Sequence, residues 1–268
     1  MNRLILACAA LSALVATPSL AQSIEDAIEA RLLSGWRAAD GSHMAALQID
    51  LAPGWNTYWR APGDAGIPPS FDWQGSQNLQ SVDVEWPSPK AMKQGHYTTI
   101  GYDGRVTLPL RIRPDAAGQP IRLEGEIELG ICREVCVPVR LDLSQALPPA
   151  QTRPDPAIVA ALASRPYTAR EAGVSEVTCR LSAVPEGLKL TAAIKMGALS
   201  GSETAVVEAN DPQIWIAPAE TRRVGDTLFA ETVLEHVEGR SFALQRSDLR
   251  ITVLGNGKAV DVQGCRAG

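Results

Sequence analysis

Cys132 and Cys136 stand on either side of Arg133-Glu134-Val135 in the stretch ELGICREVCVPVRL, residues 128 to 141. Two thiols at this spacing have three chemical uses. They can form a passive staple, supply half of a metal clip, or act as a redox pair that trades its bond with other thiols. Four residues along a straight strand span about 13 Å, whereas a disulfide needs Cα atoms about 4.4–6.8 Å apart. The pair therefore bonds only across a tight hairpin or along one helical turn. The flanks select the hairpin. RLEGEIEL alternates as a strand does, VPVRLDL is β-like, and Pro138 blocks a helix continuing from Cys136.

A bond across such a turn closes a very small ring. Loop-entropy stabilisation grows with ring size, so this bond adds less to folding than a long-range one. Small, strained or exposed disulfides are also easier to reduce. Both considerations favour redox use without removing the staple reading. A metal site needs further ligands. The chain offers His43, His96 and His236, with no HxH and no second paired-cysteine motif. A Cu(I) site using the two thiolates and a methionine is chemically conceivable, but Met44, Met92 and Met196 are scattered. No metal or other cofactor is assigned. Arg133 favours a thiolate and Glu134 opposes one, so the sequence leaves the attacking sulfur open.

The other cysteines are Cys8, Cys179 and Cys265. Cys8 falls within a secretory signal pattern. Asn2-Arg3 form a basic start, an apolar run extends from Leu4 to Ala16, and Pro18-Ser19-Leu20-Ala21 ends in small residues. Removal of residues 1–21 leaves four cysteines and an exported chain, which favours disulfides. Spacing suggests a local Cys132–Cys136 pair and a long-range Cys179–Cys265 pair. The second pair is read as structural, with stabilisation of about 4–5 kcal/mol in the chain-entropy model.

The elements that must position these residues are mostly strands. HMAALQIDL, RVTLPLRI and IRLEGEIELGIC are β-rich and are separated by Pro- and Gly-rich turns such as APGDAGIPPS. Residues 22 to 33 carry Ile24, Ala27, Ile28, Leu32 and Leu33 at roughly helical spacing, which predicts a short helical lead-in. LPPAQTRPDP, with four prolines in ten residues, reads as a linker. A short helix should follow, capped by Asp155, opened by Pro156 and stopped by Pro166. A second β-rich block then begins, with GNGK at 255–258 as a hairpin turn. The expected organisation is all-β: a signal peptide at 1–21, a sandwich domain at 22–147, a linker and helix at 148–169, and a second sandwich-like domain at 170–268.

Composition narrows function. Hydrophobic residues make up 45% and charged residues 21% of the chain, and the net charge is −5. No basic footprint for nucleic acid exists. Past the signal, no apolar stretch approaches the ~20 residues of a membrane span. No G-x-S-x-G nucleophile elbow is present. Asp64 and Asp72 have no fixed separation, and Asp64 sits in a Pro/Gly turn, so a glycosidase carboxylate pair has no support. The aromatics Trp55, Tyr58, Trp59, Phe71, Trp73 and Trp86 read as sandwich core and loops rather than a sugar platform.

Residues 35 to 147 resemble the N-terminal periplasmic domain of DsbD, the thiol:disulfide interchange protein, and especially its ScsB-type relatives. The resemblance is carried by PGWNTYWRAPGDAGIPPSFDW at 53–73, VEWPSPK at 84–90, IGYDGRVTLPL at 100–110 and LGICREVCVP at 129–138. It implies an immunoglobulin-like sandwich with Cys132 and Cys136 as the redox pair on neighbouring strands. It places Lys93-Gln94-Gly95-His96-Tyr97 where the family has a cap loop shielding that pair, with Tyr97 as the covering aromatic. It also implies a periplasmic electron relay. The donor would be a membrane thiol reductase or thioredoxin-like domain, and the acceptor an oxidised periplasmic protein. Two departures accompany it: the cysteine spacing is shorter than in the best-known members, and the membrane and thioredoxin-like parts of full-length DsbD are missing, which puts the reductant on another chain. The competing expectations are a non-catalytic binding or assembly module with structural disulfides, and a copper-tolerance protein.

Overall fold

The structure is a computed structural model that describes residues 26–95, 97–199 and 201–268. The signal segment with Cys8, and His96 of the cap segment, lie outside the described residues.

The first half contains β1 (Ile28–Arg37), β2 (His43–Leu51), β3 (Asn56–Gly63), β4 (Ser70–Asp72), β5 (Ser81–Val84), β6 (Lys90–Gln94), β7 (Tyr97–Asp103), β8 (Arg105–Arg113), β9 (Ile121–Cys132) and β10 (Cys136–Leu147). One sheet has the order β1-β2-β8-β5. The other has the order β10-β9-β3-β7-β6, with β4 also paired to β9. Together they make the immunoglobulin-like sandwich expected for this part of the chain.

β9 shows why these residues form a strand. Ile121, Leu123, Ile127, Leu129 and Ile131 all lie on one face and are buried in the core. Arg122, Glu124, Glu126 and Glu128 alternate with them on the other face. Burying each such Ile or Leu contributes about 1.5–3 kcal/mol. Trp59, Leu47, Ile49, Ile100 and Leu110 complete the same core.

β2 lacks this alternation and is buried almost throughout. Its inner face joins the core, and its outer face is covered by α1 (Pro156–Ala163), where Ile158 packs with Met44 and Ala46. The helix begins where Asp155 Oδ1 accepts from the Ala157 and Ile158 amides at 2.8 and 3.3 Å.

The expected helical lead-in is corrected in its described part. Ile28 to Leu33 belong to β1, paired with Leu51 to Ala46 of β2. The apolar residues fit two periods, and cross-strand pairing decides in favour of the strand. A register shift between Leu33 and Trp36 spoils the alternation that would have revealed it. At this shift Gly35 has φ +59°, and a Cβ there would lie 1.7 Å from the Met44 carbonyl oxygen.

The second half is a further sandwich-like unit. It contains β11 (Tyr167–Thr168), β12 (Glu176–Val184), β13 (Gly187–Lys195), β14 (Thr204–Ala209), β15 (Ile214–Ile216), β16 (Glu220–Val224), β17 (Thr227–His236), β18 (Leu249–Gly255), β19 (Lys258–Gln263) and β20 (Arg266–Ala267). The sheets β11-β19-β18-β14 and β15-β17-β13-β12-β20 enclose a separate apolar cluster that includes Leu190, Ile194, Leu228, Ile251 and Val253. Asn256 and Gly257, at φ +50° and +72°, make the tight turn between β18 and β19. The halves touch: Leu254 and Ala259 join the first core, and Arg60 makes a bidentate ion pair with Glu208 at 2.8 Å.

Candidate redox site

β9 and β10 form one long antiparallel ladder whose last register pair is Cys132 and Cys136. Arg133, Glu134 and Val135 make the turn beyond it. The two Cα atoms are 4.1 Å apart and the sulfurs are joined in a disulfide. Residues directly opposite on a ladder project to the same face, so the turn places both sulfurs side by side.

That face follows from the β9 alternation. Odd-numbered residues point into the core, so Gly130 and Cys132 point away from it. β3 runs beside β9 with Asn56 opposite Cys132 and Thr57 opposite Ile131. Tyr58 therefore shares the outer face with the cysteines. Beyond Tyr58, the pairing of β3 with β7 shifts register before Gly63, and the following loop folds back over the Tyr58 ring. Ile67 and Tyr58 both press on Gly130, where a Cβ would meet Ile67 Cβ at 2.8 Å and Tyr58 Cε2 at 2.9 Å.

The two sulfurs differ in environment. Cys132, on the inner strand of the pair, is 3% exposed. Cys136, on the edge strand β10, is exposed. Tyr58 Oη lies 3.0 Å from Cys136 Sγ. Burial raises the Tyr58 phenol above its ordinary ionisation range, so it stays protonated. In the turn, Arg133 lies over the Trp55 ring at 5.2 Å, and Val135 is 70% exposed at the tip.

The segment expected to act as a cap forms the tip of the β6–β7 hairpin, where Gln94 pairs with Tyr97. Gly95 adopts φ +61° at the turn, and Tyr97 is 57% exposed. The hairpin is clipped to the loop after β3: Thr98 N donates to Asp64 Oδ2 at 2.6 Å, and Asp64 N donates to the Thr98 carbonyl at 3.1 Å. Asp64 is thus a turn clamp. The aromatic whose polar atom reaches the sulfur is Tyr58, which sequence reasoning assigned to the core. Its signal was the glycine at 130, two residues before Cys132 on the same face.

Cys179 and Cys265 are joined 86 residues apart in sequence. Cys179 is fully buried on β12, and the bond anchors β20, which pairs with β12 at Cys179 and Thr178. Arg246 Nε donates to the Cys179 carbonyl at 3.0 Å.

Among the described residues, no group of three or more His, Cys, Asp or Glu side chains converges as metal ligands. Met44 and Met196 are each 3% exposed within apolar clusters. His43 is fully buried, with its Nε2 2.5 Å from the Ser34 carbonyl oxygen. None of the three is placed beside the cysteine pair. Among the described residues, no helix is long and apolar enough to cross a membrane.

The sandwich thus carries a disulfide at the end of its β9–β10 ladder, between a buried and an exposed cysteine. Residues 29–148 match the family described as thiol:disulfide interchange protein DsbD, N-terminal, and this part of the chain is similar to that family. The crystal structure of the N-terminal periplasmic domain of ScsB from Proteus mirabilis is similar across both halves. Its TM-score is 0.67 at 23% identity, covering 93% of this chain and 97% of that one; at that identity the likeness is one of fold. The DsbD N-terminal domain of Neisseria meningitidis, in its reduced form, aligns over 48% of this chain and 94% of its own, with 13% identity and a TM-score of 0.30. No curated protein matches the chain.

Proposed function

We propose that the protein is a periplasmic thiol–disulfide interchange protein that carries electrons through Cys132 and Cys136. The observation that carries this reading is the unequal burial of two bonded cysteines, Cys132 at 3% and Cys136 exposed. The family match over residues 29–148 supports it. A staple needs no such asymmetry; sequential exchange uses it.

The reaction starts when a donor dithiol of thioredoxin type, itself served by a membrane reductase, approaches the open edge of β10. Its thiolate attacks Cys136 Sγ, forming a donor–Cys136 bond and expelling Cys132 as the leaving sulfur. The donor's second thiol then attacks its own first sulfur and releases Cys136. Two electrons and two protons have moved to the pair, and the donor departs as a disulfide. In the forward direction, the Cys136 thiolate attacks the disulfide of an oxidised acceptor protein. One acceptor sulfur leaves as a thiolate while a mixed disulfide forms at Cys136. Cys132 then attacks Cys136 Sγ, which restores the internal bond and frees the acceptor as a dithiol.

Val135, 70% exposed at the tip of the turn, is a residue that an incoming partner would meet early. Cys132 is shielded from bulk thiols yet lies opposite Cys136, which is what a resolving group needs. The chemistry uses no cofactor.

The test is reduction of the purified oxidised protein by a thioredoxin-like dithiol, followed by mass measurement after thiol alkylation. The expected product carries label on Cys132 and Cys136 alone. A protein that takes up no label, or takes it up at Cys179 and Cys265 first, contradicts the proposal.

A further inference from the structure

Tyr58 occupies a position that packing alone does not demand. Its ring lies on the outer face of the sheet, away from the core, yet it is only 2% exposed. Two glycines make room for it at opposite edges. A Cβ at Gly66 would lie 2.7 Å from Tyr58 Cδ1, and one at Gly130 would lie 2.9 Å from Cε2. The ring so held directs its hydroxyl at one atom, Cys136 Sγ, 3.0 Å away. A disulfide sulfur has no hydrogen to give, so the tyrosine is the donor.

We propose that Tyr58 is a catalytic residue of the exchange reaction, donating its hydroxyl hydrogen to Cys136 Sγ and stabilising that sulfur as a thiolate when the pair is reduced. The inference rests on the exchange function proposed above and assigns it a specific group.

A hydrogen bond to a neutral disulfide sulfur is weak, whereas one to a thiolate is charge-assisted and much stronger. The contact therefore strengthens as the S–S bond breaks and negative charge arrives on Cys136. Tyr58 keeps its proton throughout. When the pair is reduced, the two electrons come from the donor dithiol, and the proton that Cys136 does not retain goes to water. When Cys136 attacks an acceptor disulfide, a new S–S bond forms, the acceptor bond breaks, and the charge leaves on the acceptor sulfur.

The other charged groups of the turn are Arg133, drawn onto Trp55 at 5.2 Å, and Glu134, which is exposed. On β3, Arg60 is engaged with Glu208 in the second half. Farther along the ladder, Arg140 pairs with Glu126. Among the described residues, Tyr58 places its hydroxyl 3.0 Å from the Cys136 sulfur.

The experiment uses a Cys132→Ser background, in which Cys136 is a free thiol and the Cys179–Cys265 bond stays closed without added reductant. The rate of Cys136 alkylation by iodoacetamide is followed against pH, with Tyr58 intact, with Tyr58→Phe and with Gly130→Ala. Tyr58→Phe keeps the ring and removes the donor; Gly130→Ala keeps the donor and displaces the ring. Both are expected to raise the midpoint of the profile, Tyr58→Phe by roughly one unit. At pH 7 the rate should fall about threefold, because the thiolate fraction drops about tenfold while each thiolate becomes about threefold more nucleophilic. Thermal melting confirms that the variants fold, and if one does not, the other decides. An unchanged midpoint in a folded variant overturns the role of Tyr58. The exchange function is judged separately, by reduction of the wild-type pair: an active pair with an unchanged midpoint removes Tyr58 alone, and a pair inert to dithiols removes the exchange function and with it the catalytic role, a shifted midpoint then showing only that Tyr58 stabilises the Cys136 thiolate.

Discussion

Cys132 and Cys136 share a register position on adjacent strands, yet Cys132 is 3% exposed and Cys136 is an exposed residue. The difference comes from strand order. Cys132 sits on a strand flanked by β3 on one side and β10 on the other, whereas Cys136 sits on the sheet edge. An attacking thiol meets the edge sulfur first.

Single cysteine replacements should therefore be unequal. Cys132→Ser leaves an exposed nucleophile without its resolving partner and should accumulate a mixed disulfide with an oxidised acceptor. Cys136→Ser leaves only a covered thiol and should trap about tenfold less. Non-reducing electrophoresis followed by mass identification of the trapped species reads both. Equal trapping by the two variants contradicts the assignment of Cys136 as the attacking sulfur.

The second disulfide should serve stability alone. It closes a ring of 86 residues, and replacing Cys179 and Cys265 together with alanine should cost roughly 4–5 kcal/mol in the chain-entropy model. Urea unfolding measures the loss. The potential of the Cys132–Cys136 pair should not change, and a shift in it would show that the two bonds exchange.

Buried His43 gives the fold a pH dependence of known sign. Burial holds its pKa below the ordinary 6.5, so the folded protein keeps it neutral where the unfolded chain would protonate it. Stability from this group is fully present above pH 6.5 and is lost as pH falls from there through the depressed folded value. Urea midpoints at pH 7.5 and 5 should differ in the wild type, and the difference should shrink in a His43→Leu variant. The same slope in both would exclude His43 as its source.

Much of this was legible in the residues. The spacing of Cys132 and Cys136, the alternation on either side and Pro138 together require a chain reversal, and the β9–β10 hairpin is that reversal. Asp155 and Pro156 mark the start of α1 because capping is local chemistry. The unequal burial of the sulfurs was not legible, because it depends on which strand lies beside β9. Tyr58 was hidden for the same reason: only the register of β3 on β9 and the loop returning over Gly130 bring its hydroxyl to Cys136. β1 misled because Ile28, Leu32 and Leu33 satisfy a helical period as readily as a strand, and the choice is made by pairing with β2.

The decisive quantity is the reduction potential of the Cys132–Cys136 bond, measured by equilibration with glutathione buffers while Cys179–Cys265 is monitored in the same sample. A working exchange pair should lie above about −300 mV and open while the second bond stays closed. A value below that limit, or earlier opening of Cys179–Cys265, would leave the hairpin bond as a staple and end its role as an electron carrier.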